Sequence, residues 1–240
     1  MKNIVLAPIL MLAATAQANA QSEPVSNSPP AVKSIDVKKG DQWVYETRDE
    51  LTGRLKFTTS AVVSDVTDSE IDVRVTNKAT STNAAETTYL EVFDRRWRKT
   101  EGPKYTFKKS QEFWGVPDDI AVGREWTYSY EERSVSSPQN FKWAGHGEVV
   151  AWEKVSLPSG QSFDAFKIEY HEATTRNANN QIEIVTEATP GNLRAEMTVV
   201  EWYAPLVNRY VKRTYDVRQN GKLLNSGSEM LTLYSRRGPD

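Results

Sequence analysis

The stretch K-K-G-D-Q-W-V-Y-E, residues 38–46, contains the pattern G-x-x-W-x-Y, and the same pattern recurs in A-V-G-R-E-W-T-Y-S, residues 121–129. A glycine before the aromatic pair permits the backbone turn with which a strand can begin. Side chains two positions apart share one face of a strand, which pairs Trp43 with Tyr45 and Trp126 with Tyr128. We interpret each copy as the opening strand of one of two related halves.

The order of the strand-like stretches after each copy also matches. In the first half, residues 38–117, A-V-V-S-D-V leads to I-D-V-R-V. In the second, residues 121–218, E-V-V-A-W-E-K-V leads to F-K-I-E-Y. This order indicates an internal duplication. Because one half has too few strands for a core of its own, we expect the two halves to close a shared core.

Apolar and polar residues alternate with a period of two through most of the chain, as in I-D-V-R-V-T, residues 71–76. Asn220-Gly221 is the strongest hairpin signal, because both residues tolerate the positive φ of a type I′ turn. No window shows three turns of helical apolar spacing. The sequence therefore predicts an all-β protein with little helix: a strongly curved antiparallel sheet of about ten strands, forming a half-barrel or open barrel.

The N-terminus has the three parts of a secretory signal peptide. Lys2 precedes a largely apolar run that ends in A-N-A, which predicts cleavage after Ala20 and makes residues 1–20 the signal. The run is shorter than the ~20 residues of a spanning helix, so we expect no membrane-spanning segment. Residues 21–34 hold three Pro and four Ser and indicate a flexible leader. We predict a periplasmic protein in which residues 35–240 form a single β domain.

Composition and motifs argue against several classes of function. The formal net charge is −2, so no global field attracts the chain to nucleic acid or to an anionic membrane. The sequence has no cysteine, hence neither a disulfide framework nor a lipid-modified Cys. It also lacks G-x-S-x-G, S-x-x-K, H-E-x-x-H and a phosphate-binding glycine loop. We expect a protein that is not an enzyme and has no cofactor or metal, although catalysis by paired carboxylates stays open.

The two histidines show no sign of a site. His171 falls on the polar side of its strand, and we interpret it as a surface residue. His146, in A-G-H-G, has a glycine on each side, which we interpret as a β-bulge. A metal or acid–base role would need partners that the sequence does not place nearby.

Residues 94–109 combine seven Lys or Arg with three aromatic residues and two acids. Export argues against nucleic acid, whereas forked arginine donors suit an anionic lipid head group or an envelope polymer. The alternative is a solvated hairpin whose rings face inward. A second basic stretch, R-Y-V-K-R at residues 209–213, is interpreted as protection of a strand edge. The candidate residues for binding anionic groups are Arg95, Arg96, Arg98 and Lys99.

The chain is also rich in aromatic residues, with seven Trp, ten Tyr and seven Phe. If the barrel is incompletely filled, these rings would line a pocket for an acyl chain or another apolar ligand. The alternative is that they only form the core, as strand aromatics commonly do. The candidate ligand-binding residues are Trp43, Tyr45, Trp126, Tyr128 and Trp202.

Two later segments carry a resemblance to known proteins. V-S-L-P-S-G-Q-S-F-D-A-F-K-I-E, residues 155–169, and W-Y-A-P-L-V-N-R-Y-V-K-R, residues 202–213, look like motifs of a broad family of exported bacterial proteins of unknown function. The resemblance implies a fold similar to the lipoprotein-carrier half-barrel, with an apolar concavity. This chain has Leu206 and Asn208 where glycine is usual. Asn208 can adopt a left-handed backbone, whereas Leu206 cannot do so cheaply.

Export, the carrier-like resemblance and the aromatic strands together favour one function. The chain is predicted to be a non-enzymatic periplasmic protein that binds or shuttles an apolar or amphiphilic, lipid-like ligand of the cell envelope. The alternative is an envelope scaffold or interaction module with a filled core, whose basic edge binds a partner protein or a glycan.

Overall fold

The structure is a computed structural model that describes residues 29–32, 35–80, 85–109, 115–136, 140–176 and 193–236. The predicted signal peptide and most of the predicted leader lie outside these residues.

The described residues form twelve strands, all paired antiparallel, in one closed barrel. Each strand pairs with its neighbours in the chain, and the last strand pairs with the first. The strands are β1 (Gln42–Asp49), β2 (Leu55–Val66), β3 (Glu70–Ala79), β4 (Thr87–Asp94), β5 (Lys99–Glu101), β6 (Tyr105–Lys109), β7 (Glu125–Ser134), β8 (Asn140–Ser156), β9 (Ser162–Arg176), β10 (Leu193–Ala204), β11 (Arg209–Gln219) and β12 (Lys222–Ser235).

The prediction of an all-β antiparallel protein with little helix is confirmed. The single helix of the described chain is the 3₁₀ turn Pro205–Val207, and no helix in this part is long and apolar enough to cross a membrane. The sheet closes with twelve strands, where the sequence predicted about ten in a half-barrel or open barrel. Two of the extra strands are the short β5 and β6, whose three and five residues give too little alternation to be recognised.

Both G-x-x-W-x-Y copies begin a strand through the same backbone turn. Gly40 and Gly123 have φ angles of +93° and +86°, a conformation that glycine adopts without steric cost. The Gly40 amide donates to the Val63 carbonyl at 2.8 Å, and the Gly123 amide donates to the Val149 carbonyl at 2.8 Å. The duplication of the two halves itself stays a prediction.

Two other turns follow their sequence signals. Asn220 and Gly221 both have positive φ, at 48° and 78°, which confirms the predicted hairpin between β11 and β12. Asn208 adopts the left-handed backbone, with φ 55°, directly after the 3₁₀ turn. Leu206 lies within that turn and is exposed, so no left-handed residue is needed at its position.

The hydrophobic core lies inside the barrel and continues under the segment that precedes β1. Ile35 and Val37 are buried in this core. Between them, the Asp36 carbonyl accepts a hydrogen bond from the side-chain amide of Asn208 at 3.0 Å. The fully buried Trp43 donates its indole N–H to the carbonyl of Val207 at 2.9 Å. The start of the domain is therefore bonded to the turn between β10 and β11.

The interpretation of A-G-H-G as a β-bulge was wrong. His146 pairs in regular register with Thr127 on β7 and with His171 on β9. The register shift of β8 falls later, between Val149 and Ala151.

The glycines on either side of His146 instead make room for aromatic rings of the neighbouring strand. Gly145 pairs with Tyr128 and Gly147 with Trp126 across β7 and β8. A Cβ on Gly145 would lie 2.5 Å from the Tyr128 ring, and one on Gly147 would lie 2.4 Å from the Trp126 ring. Because real Cβ atoms do not approach so closely, only glycine fits beneath each ring.

Candidate ligand cavity

The barrel contains a partly open cavity of about 270 Å³ between β1–β5 and β10–β12. Of the residues that the structure describes, seven aromatic side chains line it, together with three carboxylates and three cationic groups. The wall is therefore both apolar and charged, unlike a core that packs only against itself. Small-molecule sites typically measure about 300–1,000 Å³, so this cavity has the size of a small ligand.

One arginine and two carboxylates form a triad of ion pairs across three neighbouring strands at one level of the wall. Arg213 on β11 lies opposite Glu201 on β10 and opposite Glu229 on β12. Its Nε donates to Glu201 at 2.7 Å, and one Nη donates to Glu229 at 3.4 Å. Burial disfavours the charge of Arg213, but the two carboxylates outweigh that effect and hold the arginine pKa well above its ordinary value.

Two tyrosines extend this network toward β1. The Tyr210 hydroxyl donates to Glu229 at 2.8 Å, and the Tyr45 hydroxyl donates to the Tyr210 carbonyl at 2.9 Å. Their rings stack with centroids 4.7 Å apart. Burial raises the pKa of both phenols well above the ordinary value. Both tyrosines therefore remain neutral donors at physiological pH.

The opposite wall carries a second set of satisfied polar groups. Lys99 on β5 forms a short ion pair with Glu91 on β4. Thr59 donates to the side-chain oxygen of Asn77 at 2.8 Å, and the amide of Asn77 donates to the Tyr89 hydroxyl at 3.1 Å. Each of the three cavity carboxylates thus has a cationic partner among the described residues.

Arg209 is the exception among the cations of the wall. Its side chain lines the cavity and the residue is only 7% exposed. Within the described chain its guanidinium makes no hydrogen bond or ion pair, and its Nη1 is buried without a partner. Five rings surround it, with centroids between 4.7 and 5.9 Å from the guanidinium carbon: Trp97, Trp43, Tyr210, Phe93 and Tyr45.

The backbone around Arg209 is held in an uncommon conformation on two sides. Trp97 has a φ of 60° and Asn208 a φ of 55°, and positive φ is an outlier for a bulky residue such as tryptophan. The Trp97 indole N–H donates to the Asn208 carbonyl at 2.6 Å. This bond ties the ring above the guanidinium to the residue that precedes Arg209.

Of the five predicted ligand-binding residues, only Tyr45 lines the cavity. Trp43 lies beside Arg209 but is fully buried in the core. Trp126 and Tyr128 belong to the other half of the barrel, where both rings contact Tyr170 with centroids 5.9 and 6.5 Å apart. Both residues lie on β7, and no residue of β7 lines the cavity.

Trp202 requires a correction, because it lies on the outer surface of the barrel. Its neighbours Glu201 and Tyr203 both line the cavity, so the side chain between them must point outward. The Trp202 indole N–H donates to Glu153 at 2.6 Å, and the Lys212 ammonium lies 4.4 Å from the ring centroid. This ring cannot bind a ligand inside the barrel.

Of the four predicted anion-binding residues, only Lys99 lines the cavity. Arg96 forms an ion pair with Asp118 at 2.8 Å, and Arg98 forms one with Asp94 at 2.7 Å. The guanidinium of Arg95 donates to the carbonyl of Ile35 at 3.1 Å. These three arginines bond the turn after β4 to neighbouring acidic side chains and to the backbone of Ile35. They do not form a shared site for an anionic group.

The cation that the sequence reasoning missed is Arg209, which had been interpreted as part of a strand-edge stretch. The available signal was Asn208, whose left-handed backbone turns the chain into β11 and aims the next side chain inward. That signal marks a turn, and it does not reveal which rings meet the arginine.

The two histidines lie opposite each other on β8 and β9. His171 is exposed, as predicted, with its ring nitrogen 3.8 Å from a Glu169 oxygen. In the part of the chain that the structure describes, no group of three His, Cys, Asp or Glu side chains could hold a metal ion.

No protein-family profile matches the sequence, and no curated protein matches it. Solved structures do. A candidate exported protein with a YmcC-like fold from Bacteroides fragilis is 15% identical, with a TM-score of 0.53 over 85% of this chain and 99% of its own. A candidate lipoprotein from Parabacteroides distasonis is 14% identical, with a TM-score of 0.50 over the same shares. At this identity the likeness extends to the fold: the chain forms a barrel similar to that of YmcC-like proteins.

Proposed function

We propose that this chain is an exported, non-enzymatic protein that binds or shuttles an amphiphilic envelope ligand in its barrel cavity. The observation that carries the proposal is the cavity itself, an interior space of about 270 Å³ that the surrounding rings leave open. An interior built only for stability would bury such aromatic surface completely, because close packing maximises contacts.

The character of the wall supports an amphiphile over a purely apolar molecule. Aromatic rings offer large contact area to a hydrocarbon chain. Ion pairs and tyrosine hydroxyls on the same wall offer polar contacts to a head group. Binding sites for small molecules commonly combine a mainly apolar lining with a few placed polar groups.

Export to the periplasm is supported by the signal-like N-terminus and by the names of the two structural neighbours, one a candidate exported protein and the other a candidate lipoprotein. A lipid-like ligand suits that compartment, because an apolar chain crossing an aqueous space needs a protein to cover it.

Native mass spectrometry of protein purified from its own periplasm tests the proposal first. We expect a bound amphiphile to add mass to the intact chain and to be released on unfolding. Recovery of the unliganded mass alone would favour the alternative, a scaffold whose interior serves only its own stability.

A substitution that fills the cavity gives the second test. Ala61 is buried at the cavity wall, so Ala61→Phe places a ring in the space of the ligand. We expect the affinity for dodecanoate, measured by isothermal titration calorimetry, to fall about tenfold or more, since about 1.4 kcal/mol of lost contact suffices. The matched control is Ala121→Phe at an exposed turn, which should leave the affinity unchanged. Equal affinities for wild type and Ala61→Phe, with both folded, would reject the cavity as the binding site.

A further inference from the structure

We propose that Arg209 is the anion receptor of the cavity and that the ligand is a single-chain amphiphile with a carboxylate head group. The inference rests on the proposed function and names the chemical class of its ligand. It starts from a buried guanidinium that lines the cavity and donates to no acceptor among the described residues.

The five surrounding rings do not remove the need for an acceptor. Ring faces attract the positive charge of a guanidinium through their quadrupoles. They do not accept its in-plane N–H groups as a carboxylate or phosphate oxygen does. A buried donor without an acceptor is costly, and native proteins leave few of them. The missing acceptor is therefore expected from a molecule that enters the cavity beside Arg209.

The carboxylates of the described cavity wall are already paired with other cations. Glu201 and Glu229 are bonded to Arg213, and Glu91 is bonded to Lys99. These ion pairs occupy the described carboxylates on both sides of the cavity, so that of the three described cations of the wall Arg209 alone lacks an oxygen partner.

Charge balance at the wall favours a single negative charge on the ligand. Among the described residues, three cationic and three acidic side chains line the cavity, so this part of the wall is formally neutral before any ligand binds. A monoanion adds one charge close to Arg209, whereas a dianion also increases repulsion with the three carboxylates. A carboxylate matches the planar fork of arginine with two parallel hydrogen bonds.

The guanidinium is also held in place before a ligand binds. Trp97 and Asn208, the two residues with left-handed backbone next to Arg209, are bonded to each other at 2.6 Å. Uncommon backbone conformations of this kind cluster at ligand-binding sites, where the surrounding structure maintains them. A receptor that is fixed in advance loses little entropy on binding.

The cavity volume limits the size of the hydrophobic part. At about 270 Å³ the cavity is at the lower end of small-molecule sites, which excludes a two-chain phospholipid held entirely inside. One aliphatic chain beside the aromatic side of the wall, with its carboxylate at Arg209, uses both features of the lining.

The test compares two probes that differ only in the head group, dodecanoate and dodecan-1-ol, by isothermal titration calorimetry on the full mature chain. We expect wild-type protein to bind dodecanoate at least about tenfold more tightly than the alcohol. In Arg209→Met this preference should disappear, through a loss of dodecanoate affinity with little change for dodecan-1-ol. Arg209→Lys, which keeps the charge without the fork, should retain part of the preference.

Arg48→Met is the matched control, because Arg48 is exposed and lies outside the cavity lining. It should bind both probes as wild type does. Circular dichroism confirms that each variant is folded, and if Arg209→Met is not, Arg209→Lys decides the question.

The outcomes separate this inference from the function on which it rests. Binding of both probes with equal affinity, unchanged in Arg209→Met, would reject the anion receptor and leave the carrier function standing. Failure of wild-type protein to bind either probe would reject both. If acetate displaces a bound probe as strongly as dodecanoate does, Arg209 is a receptor for small free anions. That result would overturn the inference that the ligand is an amphiphile.

Discussion

At the scale of single residues, two arginines on the same strand have opposite surroundings. Arg213 lies between two carboxylates, whereas Arg209 lies among rings and lacks an oxygen partner within the described chain. The first arrangement satisfies its charges internally and serves stability. The second leaves hydrogen-bonding capacity open at the wall of a cavity, which is the condition for binding.

Substitution of Arg213 should show how much its ion pairs with two carboxylates stabilise the fold. Arg213→Met leaves Glu201 and Glu229, with side chains 12% and 19% exposed, without their cation. We expect the free energy of unfolding in urea to fall by about 2–4 kcal/mol, because the carboxylates stay largely desolvated. Arg48→Met, which breaks an exposed ion pair, should cost less than about 0.5 kcal/mol. Similar losses for the two variants would contradict this account.

At the scale of elements, β7 and β8 show how glycine and aromatic residues divide the space between neighbouring strands. The rings of Trp126 and Tyr128 lie over Gly147 and Gly145, so the G-H-G pattern and the second G-x-x-W-x-Y copy are two parts of one arrangement. Each pattern could be read alone, but their relation depends on the register of the two strands.

The pairing predicts which glycines of the barrel cannot carry a methyl group. Gly147→Ala would bring Cβ to 2.4 Å from the Trp126 ring, and overpacking of this kind costs about 1–3 kcal/mol. Thermal and urea unfolding should both show the loss. At Gly102 a new Cβ would meet its nearest atom at 3.7 Å, an ordinary contact, so Gly102→Ala should be nearly neutral. If Gly147→Ala leaves the free energy of unfolding unchanged, the Trp126 ring does not pack against β8 at this position.

At the scale of the whole molecule, closure of the barrel determines both its stability and its interior. The pairing of β1 with β12 removes the free edges of the sheet, which would otherwise be open to association with other chains. It also brings β1, and with it Tyr45, beside β12 and β11, so that Tyr45 lines the same cavity as Arg209 and Arg213. The site therefore exists only in the closed form.

Burial of phenols inside the closed barrel predicts a loss of stability in alkali. Burial raises the pKa of eight tyrosines above their ordinary value of 10.0: Tyr45, Tyr89, Tyr130, Tyr170, Tyr203, Tyr210, Tyr215 and Tyr234. The folded protein keeps phenolic protons that the unfolded chain releases near pH 10. The stabilisation that these raised pKa values give the folded protein is complete below pH 10 and is lost as the pH rises above it.

The measurement is a titration of phenolate absorbance, with urea melts at each pH. We expect the five tyrosines with the largest rise in pKa to ionise only together with unfolding: Tyr45, Tyr130, Tyr170, Tyr203 and Tyr210. In denaturant all ten tyrosines should titrate near pH 10. Ordinary titration of all ten in the folded protein would disprove the burial of these phenols.

The sequence by itself determined the fold class, several of the longer strands and the clearest turns. Alternation in residues 71–76 predicted a strand where the structure has β3, and Asn220-Gly221 predicted the hairpin between β11 and β12, because both signals depend only on neighbours in the chain. The face on which Trp43 and Tyr45 lie together was predictable for the same reason, and both are buried.

Only the tertiary structure decided closure and the candidate site. The residues around Arg209 come from β1, β4, the turn after β4 and β11, so their meeting depends on barrel closure and on the registers of several strand pairs. A period of two tells which side of a strand a residue occupies. It does not tell which distant side chain it meets there, and for that reason Trp202 was assigned to the interior and Arg209 to an edge.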